Sequence, residues 1–569
     1  MPEIALSTRP ADQETDALAI FVAAGDEGAV LLDGGALPEA ARDHLLDAMR
    51  QLRAKGKADE VARFAAVPGL AAAVVITTGV GSLPSGDDQA DEADEADEAD
   101  DRPGENVELD EKPESNENPE NTQVPTEALR RAAGCAARAC GGRERLGLLA
   151  PGRRPEALAA IAQGAALGAY RFVAHRGEKA AAALAKDGPV TAIDVLAGSA
   201  TTTGSATATG SATATASNGT VDDAGIDAAD AGATQEVAAA VTVGRWQAWA
   251  RDLVNTAPNV LYPESFAERA TQDAPQGVTI DVLDEDALAE GGFGGIVGVG
   301  QGSARPPRLV TMSYEPDDAQ GRLAFVGKGI TFDSGGLCIK PPKSMITMKC
   351  DMGGAAAVAA AVCAVAELGL PIAVTGYLCL AENMPGSSAQ RPGDVVTIRD
   401  GQTVEIINTD AEGRMVLVDG IALASESGPD AIVDVATLTG AAMVALGNRT
   451  AAVFANDDEL LGELTSAATT VGETVWPMPI AEEIRSAMDS QVADIAHTGA
   501  AMGGAMTAAA FLRAFVGPQS QGGRPIPWGH LDIAGPAFNE SAPHGYTAKG
   551  GTGFAVRTLV QFARERSEA

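Results

Sequence analysis

The stretch Phe325–Ala357, FVGKGITFDSGGLCIKPPKSMITMKCDMGGAAA, decides how this chain is read. It opens on a strand-like apolar run that ends near Lys328. It then passes Asp333 into the tight turn Ser334–Gly335–Gly336. Asp351 follows, just ahead of Met352–Gly353–Gly354 and an alanine-rich helix. Both carboxylates thus fall in strand-to-helix loops, where ligands collect in open α/β sheets.

The surrounding sequence has the same texture. RLAFVG, IAVTGYLCL, AIVDVATL and HLDIAG read as buried strands, and GRMVLVDGIALASES as a helix between two of them. The run from Gly354 to Leu370 is broken by Glu367 and reads as a buried helix rather than a membrane span. Upstream, DALAIFVAAG, AAAVVITTG, RLGLLAPG and YRFVAHRG read as strands. LPEAARDHLLDAMRQLRAKG and PEALAAIAQGAALGAY read as helices. This predicts an N-terminal α/β domain over 1–233 and a larger C-terminal α/β domain over 234–569, with a central mixed sheet flanked by helices. The second begins with the helix TQEVAAAVTVGRWQAWARDLVN.

With 569 residues, more than one domain is expected. Two biased segments, at about 85–125 and 198–220, read as disordered insertions in the first domain. The first explains part of the formal charge of −37, since Asp87–Glu120 holds 17 acids against two bases. An acidic surface opposes binding to phosphate backbones and anionic lipid. Six scattered cysteines with no CxxC pair, and a polar N-terminus unlike a signal peptide, fit a reducing cytoplasm.

A second polar cluster is INTDAEGR, Ile407–Arg414. Read as extended chain, it puts Asp410, Glu412 and Arg414 on one face with Asn408 beside them. Converging carboxylates repel unless a positive charge lies between them. Arg414 alone could supply that in an ion-pair network. The remote set Lys328, Asp333, Lys340 and Asp351 favours one or two divalent cations instead. Oxygen-rich ligands suit Mg²⁺, Mn²⁺ or Zn²⁺. No HExxH is present, the five histidines are scattered, and His530 reads as a packed strand-edge residue. Residue chemistry alone leads to a two-metal hydrolase, with Lys340 or Arg414 available for an oxyanion.

These motifs closely resemble the leucyl aminopeptidases, the cytosolic di-metal exopeptidases. NTDAEGR, VGKGITFDSGG and MKCDMGGAAAV carry the resemblance. NTAPNVLYPESFAE, ADIAHTGAAMGGAMTAAAFL and PWGHLDIAGPAF follow in family order. The likeness runs from about Asn255 to Phe562. It implies that Lys328, Asp333, Asp351 and Glu412 hold a tighter metal, and Asp333, Asp410 and Glu412 a more exchangeable one. Lys340 would bind the oxyanion, and Arg414 a bicarbonate ion acting as general base. Met348, Asn408, Thr437, Gly440, Ala534 and Ala537 would form the substrate pocket, suited to Leu or Met.

The resemblance further implies peptide substrates, a homohexamer and a cytoplasmic setting. A Cys-Gly dipeptidase and a non-catalytic regulator on the same fold are the rival expectations. One local departure is His497, where the family usually has Asn. GFGGIVGVGQGS resembles a phosphate loop, but Pro306–Pro307 and a strand-like run follow instead of a helix, which opposes nucleotide binding. No basic stripe supports a nucleic-acid partner.

Overall fold

The computed structural model describes residues 1–7, 15–26, 28–84, 124–197, 228–499, 502–519 and 523–568. Residues 85–123 of the acidic insertion and the whole 198–220 segment lie outside them. The chain divides into two compact units. One comprises Met1–Ala169, Ala182–Val241 and His544–Tyr546; the other Tyr170–Ala181, Thr242–Pro543 and Thr547–Ala569.

The first unit is built on a seven-stranded mixed sheet. Its strands are β1 (Glu3–Ser7), β2 (Ala17–Gly25), β3 (Gly28–Leu32), β4 (Val61–Ala65), β5 (Val74–Ser82), β6 (Arg145–Ala150) and β7 (Ala192–Ala197). The order is β1-β7-β6-β2-β5-β4, with β3 on β2. Strand β2 shows why both faces are covered. Ala17, Ala19 and Phe21 pack with Leu129 and Ile161 of the helices Thr126–Ala139 and Pro155–Gly168. The alternate residues Leu18, Ile20 and Val22 pack with Leu45 and Met49 of Glu39–Leu52.

YRFVAHRG is not a strand. Its side chains serve residues 251–257 instead. Tyr170 donates to Asp252 (2.8 Å) and accepts from Asn255, Arg251 lies over its ring, and His175 Nε2 accepts from Ala257 N–H. The neighbouring place in the sheet belongs to AIDVLA, Ala192–Ala197, which the sequence reading passes over.

The second unit carries an eight-stranded mixed sheet and a small three-stranded one. In chain order the strands are β8 (Val278–Leu283), β9 (Arg308–Tyr314), β10 (Arg322–Asp333), β11 (Ala373–Asn383), β12 (Val395–Thr397), β13 (Thr403–Glu405), β14 (Ala431–Ala436), β15 (Ala451–Ala455), β16 (Val475–Pro477), β17 (Ile495–Ala496) and β18 (Trp528–Asp532). The large sheet runs β16-β15-β18-β14-β10-β11-β9-β8, and β12-β13-β17 form the small one. Along β10, Leu323 and Phe325 pack with the helix Gly353–Leu368, while Ala324 and Val326 pack with Gly413–Glu426. The stretch Met348–Leu368 is long and apolar enough to span a membrane, yet Gly353–Val365 are all buried within the fold.

Strand β10 contains one irregularity that matters. Its register against β11 advances from Ile330↔Ala381 to Phe332↔Glu382, leaving Thr331 as an extra residue. Lys328 and Asp333 are five apart, which on a regular strand would point them to opposite faces. Their partners Cys379 and Asn383 are four apart, so the bulge restores a common side.

The glycine-rich GGIVGVG is itself a helix, Gly294–Gly300. The anion at its N-terminus is internal: the buried Asp419 carboxylate accepts from Ile296 N–H at 2.8 Å. His530 is also not at a strand edge. It lies on β18, between β14 and β15, and is fully buried. Asp434 of β14 meets its Nδ1 at 2.6 Å and accepts from Trp528 Nε1.

Candidate metal centre

Three segments build the site: the turn after β10, the end of the same connection just before the helix Gly353–Leu368, and the stretch between β13 and the helix Gly413–Glu426. After β10, Gly335 and Gly336 take φ of 87° and 60°, a turn that side chains other than glycine resist. Lys340 N–H closes this loop on Ser334 O. A short 3₁₀ turn, Met348–Cys350, then sets Asp351 before the helix Gly353–Leu368.

The third piece corrects the expectation of an extended INTDAEGR. Asn408 Oδ1 accepts from Asp410 N–H, and Asn408 O from Ala411 N–H, so the segment turns and enters the helix at Gly413. Its charges therefore fan out to different partners. Gly413 is required by the fit: a Cβ there would lie 2.4 Å from Lys328 Cε.

Lys328 Nζ sits 2.8 Å from Asp351 Oδ1, 3.0 Å from Glu412 Oε1 and 3.0 Å from Thr437 O. Lys340 Nζ lies 2.8 Å from Asp333 Oδ2 and 2.7 Å from Asp410 Oδ1. Asp333 Oδ1 accepts from Gly335 N–H and from Asn383 Nδ2, each at 2.8 Å. Arg414 donates from Nη1 to His497 O at 2.7 Å.

Four carboxylates and two ammonium groups thus share a buried space. Burial works against the Lys328 ammonium, but Asp351, Glu412 and Asp333 outweigh it and hold its pKa above the ordinary lysine value. Lys340 is raised in the same way against its own burial, mainly by Asp333 and Glu412. Burial, then the Glu412 charge, pushes Asp333 up to about 6 against the pull of Lys340. Burial also raises Asp351 and Asp410, and brings Arg414 down to about 10.

The donor set fits divalent cations. Asp333, Asp351 and Glu412 are buried and each offers an oxygen within 4.8 Å of the others. Glu412 Oε2 is buried with no hydrogen bond among the described residues. Asp351 Oδ2 and Asp410 Oδ1 meet their lysines at ion-pair distance without hydrogen-bond geometry. Buried carboxylate oxygens left short of donors are what a cation satisfies.

The other anticipated residues scatter around this centre. Thr437 Oγ1 donates to Asp351 Oδ1 at 2.8 Å, and a Cβ built on Gly353 would touch Thr437 Cγ2 and Ala537 Cβ. Ala534 N–H donates to Asp532, whose carboxylate also anchors Leu438 and Thr439. Met348 is half-buried on the turn before Asp351, whereas Gly440 and Asn408 are exposed.

Sequence reasoning missed Asn383, which is buried and donates both to Asp333 and to Thr409 O, joining two of the loops. Its one sequence signal is a polar residue closing the apolar run of β11.

With this geometry in view, comparison with known proteins is decisive. The catalytic domain of the cytosol aminopeptidase family matches residues 248–560, and the family's N-terminal domain matches 18–179. The chain belongs to the cytosol aminopeptidase family. It is accordingly a metal-dependent aminopeptidase, and the family's catalytic-domain match contains every site residue named above.

A probable cytosol aminopeptidase of Streptomyces griseus subsp. griseus is 46% identical, covering 100% of this chain and 99% of that protein. Another, from Micrococcus luteus, is 43% identical over 98% of this chain and 97% of its own length. Among solved structures, the bottromycin maturation enzyme BotP in complex with Mn aligns with a TM-score of 0.74 and 34% identity, over 97% of this chain and 100% of that one. A tomato leucine aminopeptidase mutant aligns with a TM-score of 0.73 and 27% identity, over 99% and 97%.

Proposed function

We propose that this aminopeptidase releases N-terminal residues, Leu preferentially, from peptides in the cytoplasm, with two divalent cations per subunit, Mn²⁺ or Zn²⁺. The observation that carries the reading is the buried gathering of Asp333, Asp351 and Glu412 with oxygens short of donors. Lys328, Asp333, Asp351 and Glu412 hold one cation, and Asp333, Asp410 and Glu412 the other. When bound, the pair supplies Lewis acidity and lowers the pKa of a water. Lys328 would hold the metal as the neutral amine, giving up the proton that Asp351, Glu412 and Asp333 favour.

The chain's own groups do the rest. Lys340 is a partly exposed donor at the edge of the carboxylates, suited to the developing oxyanion of the scissile carbonyl. Among the described residues Arg414 Nε is buried without a partner, a donor available for bicarbonate, the general base. Small and apolar side chains at Met348, Thr437, Ala534 and Ala537, with Gly440 and Asn408, favour a Leu or Met side chain. Assembly is homohexameric.

Leu-p-nitroanilide hydrolysis tests the reading. Activity should vanish with a chelator, return with Mn²⁺ or Zn²⁺, and fail in Asp410→Ala and Lys340→Ala. Turnover that survives the chelator and both substitutions refutes it, and native mass tests the hexamer.

A further inference from the structure

One residue outside the carboxylate set grips the Asn408–Arg414 stretch at both ends. His497 follows β17, which pairs in parallel with β13 through Val404↔Ile495 and Glu405↔Ala496. His497 N–H extends that ladder to Glu405 O at 3.2 Å. The register therefore carries the imidazole alongside Ile407 and Asn408. The residue is 1% exposed.

Its contacts select one form of the ring. Ile407 N–H is a donor and lies 3.1 Å from Nδ1; Asn408 O is an acceptor and lies 2.8 Å from Nε2. Only the neutral tautomer with the proton on Nε2 meets both demands. Nδ1 also lies 3.2 Å from Glu405 O, the carbonyl that receives the His497 backbone N–H. Burial, with the nearby Arg414 charge, lowers the His497 pKa to about 4, so the ring stays neutral near pH 7. The backbone of the same residue receives Arg414: Nη1 donates to His497 O at 2.7 Å. The turn that carries Asp410 and the guanidinium that ends the stretch are thus referred to a single buried residue.

We propose that His497 is a positioning residue, holding the Asn408–Asp410 turn and the Arg414 guanidinium in the relative placement the reaction needs. The proposal rests on the roles given above to Asp410 and Arg414. It predicts that the two ring contacts are separable. His497→Gln keeps a donor near Nε2, His497→Asn keeps an acceptor near Nδ1, and His497→Leu keeps neither.

The test compares these variants with wild type in kcat and KM on Leu-p-nitroanilide at saturating Mn²⁺. Mn²⁺ affinity is measured separately by electron paramagnetic resonance titration of chelated protein. His497→Leu should lower kcat about 10–100-fold and weaken the looser class of Mn²⁺ site by a similar factor, leaving KM nearly unchanged. Gln should recover most of the Mn²⁺ affinity, because the Asn408 carbonyl beside Asp410 keeps its donor.

Wild-type kcat and Mn²⁺ affinity in His497→Leu overturn the proposal. If that variant fails to fold, Gln and Asn decide: Asn, which lacks the donor to Asn408 O, must lose the Mn²⁺ affinity that Gln keeps, and losses that merely follow the folded fraction overturn the proposal as well. A wild-type protein that binds Mn²⁺ but releases no nitroaniline refutes the Leu preference instead, and the variants' Mn²⁺ affinities still judge His497.

Discussion

Replacing Lys340 with methionine separates the electrostatics of the site from its chemistry. Lys340 Nζ lies 2.8 Å from Asp333 Oδ2 and 2.7 Å from Asp410 Oδ1. At an effective dielectric constant of about 20, each contact carries about 6 kcal/mol of attraction. Desolvation cancels much of this, and deleting one partner of a buried pair costs about 3–5 kcal/mol. The Asp410 side chain is 31% exposed and its arm is screened, so the lower end, about 3 kcal/mol, applies.

In chelator, Lys340→Met should therefore unfold with about 3 kcal/mol less stability than wild type. A divalent cation compensates the same carboxylates, so in saturating Mn²⁺ the deficit should shrink below about 1 kcal/mol. Turnover should move the other way. With Mn²⁺ saturating and stability nearly restored, kcat should remain about 10²–10³-fold down, the cost of losing one oxyanion donor. Urea unfolding with and without Mn²⁺, alongside initial rates on Leu-p-nitroanilide, reads both effects. Equal stability of the two proteins in chelator, or wild-type kcat in the variant, would refute the reasoning.

Asp434→Asn removes the charge that favours the protonated form of His530. Burial opposes the imidazolium, but Asp434 prevails and raises the His530 pKa. The pair's stabilisation is thus fully present below the unfolded histidine value of about 6.5 and is lost as pH rises through the folded value. The stability gap between wild type and variant should be widest at low pH and narrow on the alkaline side; a gap constant from about pH 5.5 to 9.5 contradicts this. Asn383→Leu should weaken Mn²⁺ binding about 10–100-fold by calorimetry, since Asp333 Oδ1 and Thr409 O lose their shared donor. An unaltered affinity would show that Asn383 does not orient the site.

Local sequence made the layered α/β architecture legible, because buried strands such as AIVDVA read as short apolar runs and helices such as EAARDHLLDAMRQL bear their period openly. The misreading of YRFVAHRG has the same root. Aromatic and β-branched content imitates a strand, but here Tyr170 and His175 are spent on Asp252, Asn255 and Ala257. In INTDAEGR, the acids and the arginine were apparent as a charged cluster, while their geometry was not. Asn408 caps a turn and replaces strand alternation with three diverging side chains. Asn383 and the grip of His497 depend on which strands pair, β10 with β11 and β13 with β17. Those pairings join residues some 50 to 90 positions apart, beyond the reach of any local pattern.

The bulge at Thr331 has a consequence for transplanting such a centre. Lysine and aspartate five positions apart are not a portable motif: on an uninterrupted strand of another sheet they would aim at opposite layers of the protein. The spare residue acts as a phase shifter, and its buried hydroxyl donates across the bulge to Ala381 O. Copying this chemistry into a new scaffold means copying a defect in the ladder along with the ligands, so that an odd spacing in the gene becomes an even one in space.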